Sequence, residues 1–105
     1  MNDIELINIA NKVIARFINS GTTLAVAESC TGGWLSKIIT EVSGVSAIYK
    51  GGICSYSNET KECILGVNKE TLLNFGAVSE QTATEMATNV KRIMNCDVGV
   101  GITGI

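Results

Sequence analysis

Two short apolar stretches, Thr23 to Ala27 and Asp97 to Ile102, constrain the fold most. Each is too short for an ordinary helix, and each runs into a turn of small residues. Such runs suit strands buried on both faces. Around them the period changes from two to about 3.6. From Asp3 to Ser20, Leu6, Ile7, Ala10, Val13, Ile14, Phe17 and Ile18 recur at three- and four-residue steps, while Asn11, Lys12 and Arg16 fall elsewhere. The pattern predicts an amphipathic helix closed by Gly21.

A helix from Trp34 to about Ile39 follows the Glu28-to-Gly33 turn. Ala47 to Tyr56 reads as one or two extended segments, with a bulge at the Gly51-Gly52 pair. Helices are then expected from Asn58 to Leu65, from Asn68 to Phe75 before Gly76, and from Ser79 onward. The last has an apolar face of Ala83, Met86, Ala87, Val90 and Met94. Helices alternating with short buried strands predict an α/β domain with helices on both faces of a mixed or parallel sheet. Ligands are expected beyond the strand ends.

At 105 residues the chain holds one domain, residues 1–105, and one core. A composition 46% hydrophobic and 17% charged, without proline, excludes a disordered or low-complexity chain. With a net charge of -2 and its basic residues scattered, it presents no basic face for direct nucleic-acid binding. The four cysteines form no C-x-x-C pair and histidine is absent, so zinc spacing is missing and reduced thiols are expected. No apolar run reaches a membrane span, and Asp3 and Glu5 stand where a signal peptide would be basic, so a cytoplasmic location is expected. Thr103-Gly104-Ile105 is a turn of the kind that leads onward, so a further segment is expected beyond it.

The absence of histidine also narrows the chemistry. Ser-His-Asp and Cys-His catalysis are excluded within one chain, so a nucleophile must be activated by a lysine, a carboxylate or a helix end. Ser29 lies in a turn where the backbone amides of Thr31, Gly32 and Gly33 could converge on an oxyanion. The competing reading is that Ser29 or Thr31 caps the next helix. Lys61 falls in a predicted first helical turn, where the helix dipole would depress its pKa and let it act as base toward Ser29. The competing reading is a solvated surface lysine. Gly99-Val100-Gly101-Ile102-Thr103-Gly104 matches G-x-G-x-x-G, but Gly99 and Gly101 are expected inside the strand and no helix follows, so a dinucleotide site is rejected. Thr103 and Gly104 are left facing the crevice of Ser29, and Ser29, Tyr56, Lys61 and Thr103 are expected at one edge of the sheet.

Taken together, Ala27-Glu28-Ser29-Cys30-Thr31-Gly32-Gly33, Tyr56-Ser57-Asn58 with Lys61, Leu65-Gly66-Val67, Gly76-Ala77-Val78-Ser79 and Thr103-Gly104-Ile105 resemble the C-terminal domain of CinA, the competence/damage-inducible protein family. The resemblance implies a three-layer α/β/α domain, a homodimer, and hydrolysis of nicotinamide mononucleotide to nicotinic acid mononucleotide and ammonia without metal or cofactor. It implies that Ser29 is the nucleophile, Lys61 the activating base, Tyr56 a neighbouring active-site hydroxyl and Thr103 a substrate- or oxyanion-contacting group. Thr31, Gly32, Gly33 and Gly104 complete the substrate-binding turns. Family members continue into further strands and a basic last helix, so this chain is expected to be C-terminally incomplete. The alternatives are a non-catalytic nucleotide-binding or dimerisation module and, last, a role in DNA uptake or damage response through a protein partner.

Overall fold

The computed structural model describes residues 2–105. Helix α1 runs Asp3–Ser20, with the Asn2 side chain accepting the Glu5 amide and Gly21 closing it in a left-handed conformation. Strand β1 (Leu24–Glu28) follows, then α2 (Trp34–Thr40), β2 (Tyr49–Cys54), α3 (Asn58–Cys63), α4 (Lys69–Phe75), α5 (Glu80–Ile93) and β3 (Val98–Ile102). Ala47, expected to open an extended segment, ends a short 3-10 turn, Val45–Ala47.

The three strands form one parallel sheet in the order β2-β1-β3. Central β1 is buried along its whole length, as an apolar run without alternation predicts. Helices α1 and α2 cover one face. There Ile14, Leu24, Val26, Ile39, Val45 and Ile48 form a cluster. Ala25, Ala27, Leu65, Val67, Met86 and Val90 form a second cluster on the other face, largely under α5. The domain is therefore layered α/β/α, and the sheet is parallel rather than mixed.

The β1–β2 register shifts between Leu24 and Ala25, whose partners are Tyr49 and Gly51, so Lys50 is the extra residue. The bulge lies one residue before the expected glycine pair. Gly99 and Gly101 lie inside β3 because α5 rests directly on it: a Cβ at Gly101 would stand 2.4 Å from the Ala83 carbonyl oxygen, and one at Gly99 2.2 Å from that of Ala87. These glycines serve helix–sheet packing, which fits the rejection of a dinucleotide loop.

From β1 the chain crosses to β2 on one side, and from β2 it returns past β1 to β3 on the other. The direction of winding thus reverses at β1, and a crevice opens at the carboxyl ends of the strands. Ser29, Ser55, Tyr56, Thr103 and Gly104 all stand just beyond those ends.

Candidate active site

Ser29 is the first residue after β1, and only 6% exposed. Lys61 reaches it from α3, whose start is fixed by Ser57: the Ser57 hydroxyl oxygen accepts the Thr60 amide. The Lys61 side chain is 1% exposed and runs inward, which excludes the surface-lysine reading. Its Nζ lies 2.9 Å from Ser29 Oγ, 2.6 Å from the Ser55 carbonyl oxygen and 3.3 Å from the Tyr56 carbonyl oxygen. Among the described residues no carboxylate pairs with it.

Burial pulls the Lys61 ammonium below the ordinary lysine value of 10.5, and the nearby Cys54 and Cys30 sulfurs oppose this only in part. The cause differs from the one read off the sequence. Lys61 is the fourth residue of a six-residue helix and lies in its last turn, so the dipole at the helix start does not act on it as supposed. Desolvation does.

A neutral lysine amine has two N–H donors and one lone pair. The two carbonyls take the donors, and the lone pair is then free to accept the Ser29 hydroxyl proton. Nucleophile and base are within the distance that general-base activation requires.

Neither Ser29 nor Thr31 caps α2. The N-cap is Gly33, with no side-chain cap, and the α2 amides are taken instead by Glu28. Glu28 Oε1 accepts the Leu35 amide at 2.8 Å and the Thr31 hydroxyl at 2.6 Å. Its Oε2 accepts the Ser36 amide at 2.9 Å and the Ser36 hydroxyl at 2.8 Å. Burial would raise the Glu28 pKa, but these hydrogen bonds outweigh it and hold the carboxyl below 4.5. The start of α2 is therefore occupied by a carboxylate of the protein itself, which leaves it unsuited to an external anion. Sequence reasoning gave Glu28 no role. The available signal was an acid just before a small-residue turn that opens a helix.

Gly32 and Gly33 take left-handed conformations, at φ +60° and +94°, and bend the chain from β1 into α2. Any other residue would be strained there, even though the space around them is open. The Gly32 amide donates to the Ser29 carbonyl at 3.4 Å and so braces the turn.

Two expected contact residues have their hydroxyl protons committed elsewhere. Thr31 donates to Glu28, and Thr103 donates to the Ala77 carbonyl at 2.7 Å, tying the end of β3 to the loop before α5. In this conformation both shape the site rather than offer a proton to a ligand. Tyr56 contributes its backbone carbonyl to Lys61, while the side chain is 83% exposed at the cleft mouth. Gly104 stands close beside Cys30, where a Cβ would lie 3.0 Å from the sulfur.

Around the dyad lies a cavity of about 310 Å³ lined by Ser29, Cys30, Tyr56, Lys61, Ala77, Gly104 and Ile105. A second cavity, about 360 Å³, lies between α1, α2 and the sheet, and every residue lining it is apolar. It offers no polar or nucleophilic side chain, unlike the cleft at the strand ends. Among the described residues no cluster of three cysteine or acidic side chains could hold a metal ion, and all four cysteines are free. No helix of these residues is long and apolar enough to cross a membrane.

The comparisons with known proteins agree with this architecture. Residues 6–105 match the model of the CinA C-terminal domain. A competence-damage inducible protein of Thermoanaerobacter sp. is 60% identical over 83 residues, covering 79% of this chain and 20% of that protein. One of Acetivibrio thermocellus is 48% identical over 103 residues, covering 98% of this chain and 24% of the other. The crystal structure of a CinA superfamily protein from Enterobacter cloacae superposes with a TM-score of 0.85 at 42% identity, over 88% of this chain and 54% of the other. One from Escherichia coli gives 0.86 at 30% identity, over 91% and 56%. The chain thus spans a fifth to a quarter of these curated relatives and just over half of the solved chains. With the family's model matched from residue 6 to residue 105 and its solved members sharing the fold, this chain belongs to the CinA C-terminal domain family.

Proposed function

We propose that this domain is an amidohydrolase that converts nicotinamide mononucleotide to nicotinic acid mononucleotide and ammonia, with Ser29 as nucleophile and Lys61 as base. The observation that carries the reading is the 2.9 Å approach of a buried lysine, with no carboxylate partner among the described residues, to a serine at a strand end. The resemblance described above supplies the substrate, and the homodimer, cytoplasmic location and absence of a cofactor are proposed on the same ground.

The neutral Lys61 amine takes the Ser29 hydroxyl proton as Oγ forms a bond to the carboxamide carbon. The resulting ammonium gives a proton to the amide nitrogen, the C–N bond breaks, and ammonia leaves an ester on Ser29. Water then attacks that ester with Lys61 again accepting a proton, the acyl C–Oγ bond breaks, the Lys61 ammonium returns the proton to Ser29 Oγ, and the acid is released. Desolvation disfavours the ammonium and so shifts Lys61 toward the neutral amine that acts as base.

Ammonia release from nicotinamide mononucleotide tests the assignment. Ser29→Ala and Lys61→Ala should each abolish turnover while substrate binding persists. Full turnover by Ser29→Ala would sink the nucleophile role.

A further inference from the structure

We propose that Ser55 is a positioning residue of the dyad, its buried hydroxyl held in reserve as an acceptor for the Lys61 ammonium formed when Ser29 loses its proton. The proposal rests on the dyad reading above.

Ser55 is wholly buried, yet its Oγ is the one buried side-chain polar atom among the described residues that has no hydrogen-bond partner. An orphan hydroxyl costs stability, and such groups in a folded protein call for an explanation. Its location supplies one. The β1–β2 register ends at Glu28 opposite Cys54, so Ser29 and Ser55 are the next residues on adjacent strands. The Ser55 amide donates to the Glu28 carbonyl at 2.8 Å, and its own carbonyl takes Lys61 Nζ at 2.6 Å. Covalent geometry keeps a serine hydroxyl within a few ångström of its own carbonyl oxygen, and that oxygen holds Lys61 Nζ, so Ser55 Oγ and the lysine nitrogen share one buried neighbourhood.

The reaction creates the need. Lys61 Nζ lies within hydrogen-bond distance of the Ser55 and Tyr56 carbonyls and of Ser29 Oγ; as a neutral amine it can donate to the two carbonyls and take the Ser29 proton. After attack it carries three N–H bonds, while Ser29 Oγ is bonded to carbon and has become a poorer acceptor. The third N–H then faces a buried site with one polar atom to spare, the Ser55 hydroxyl. It accepts that hydrogen bond until the proton moves to the leaving group, and a hydrogen bond to a charged donor is among the stronger ones in a protein.

The burst of nitrophenolate from p-nitrophenyl acetate isolates this step, because nitrophenolate leaves without needing a proton. The burst rate of the full chain would be measured against pH for wild type, Ser55→Ala and Ser29→Ala, with melting temperatures beside it. Removing the hydroxyl should slow the burst about tenfold or more, the size expected from losing one hydrogen bond to a charged group. The melting temperature should hold or rise, and the pH midpoint should not move upward.

A Ser55→Ala burst within about twofold of wild type, well short of that loss, would overturn the proposal. So would a slowed burst with a lower melting temperature and a midpoint shifted toward the ordinary lysine range, because Ser55 would then serve only to exclude water. A missing burst, or one that survives Ser29→Ala, would defeat the dyad reading and this inference with it. A burst that needs Ser29 and ignores Ser55 would defeat this inference alone.

Discussion

Lys61 is held by two carbonyls and a hydroxyl, and among the described residues no carboxylate pairs with it to offset the loss of its hydration. This makes its protonation state depend on pH below the usual lysine range. Activity should rise with pH along a limb whose midpoint lies below 10.5, because the amine must be neutral to act. The same depression sets a sign for stability. The unfolded chain binds a proton at Lys61 that the folded chain does not, so stability should rise with pH between the folded pKa and 10.5. Denaturant titrations at stepped pH would reveal it, with Lys61→Met as the control that lacks the slope. In the kinetics, Ser29→Ala and Lys61→Ala should each cost about a thousandfold or more, and the double variant should be no worse than the poorer single one. Lys61→Arg should not rescue, since a guanidinium cannot accept the proton near neutral pH. Rescue by arginine would show that position 61 supplies only positive charge. Both residues were legible in the sequence, because without histidine few activating groups remained. The carbonyls of Ser55 and Tyr56 were not, since backbone acceptors carry no residue signature.

At the scale of elements, the turn from β1 into α2 works because Glu28 takes the α2 amides that a capping side chain would ordinarily take. Its carboxyl pKa lies below 4.5 in the folded state, so its stabilising effect is complete above 4.5 and is lost as pH falls through the folded value. Glu28→Ala should destabilise the domain by about 1–3 kcal/mol through the donors left unpaired, and it should loosen Ser29 as well. A melting temperature equal to wild type would contradict that role. Gly101→Ala should cost about 1–3 kcal/mol from overpacking, because the clash is with the α5 backbone, which cannot turn aside as a side chain can. The helices were readable from their period and caps: Gly21 and Gly76 end α1 and α4 where expected, and Ser79 caps α5. Position 47 misled because a 3-10 turn and a strand end share the same apolar residues. The committed hydroxyls of Thr31 and Thr103 were also beyond reach, since each depends on a tertiary partner, Glu28 or Ala77.

For the molecule as a whole, the α/β/α layering follows from three short buried strands among amphipathic helices, but the apolar stripe of α1 reads as more buried than it is. Ile7 and Val13, both on that stripe, are about half exposed, and so is Trp34 on α2. Strand β3 pairs on one side only, with Val98, Val100 and Ile102 half-buried. A radius of gyration of 14.0 Å, against about 13 Å for a compact chain of this length, fits such an open face. Exposed apolar surface and an unpaired strand edge favour association, so light scattering should show self-association that grows with concentration. A monomer at high concentration would contradict this. A buried serine–lysine pair at the strand ends should cleave an amide. Ammonia release from nicotinamide mononucleotide by a protein carrying this domain at the length of the solved relatives, assayed across pH beside its Ser29→Ala variant, decides whether it does. Release should occur in the parent alone, rising with pH to a midpoint below 10.5. Equal release by both proteins, or none by either while the substrate binds, would contradict it.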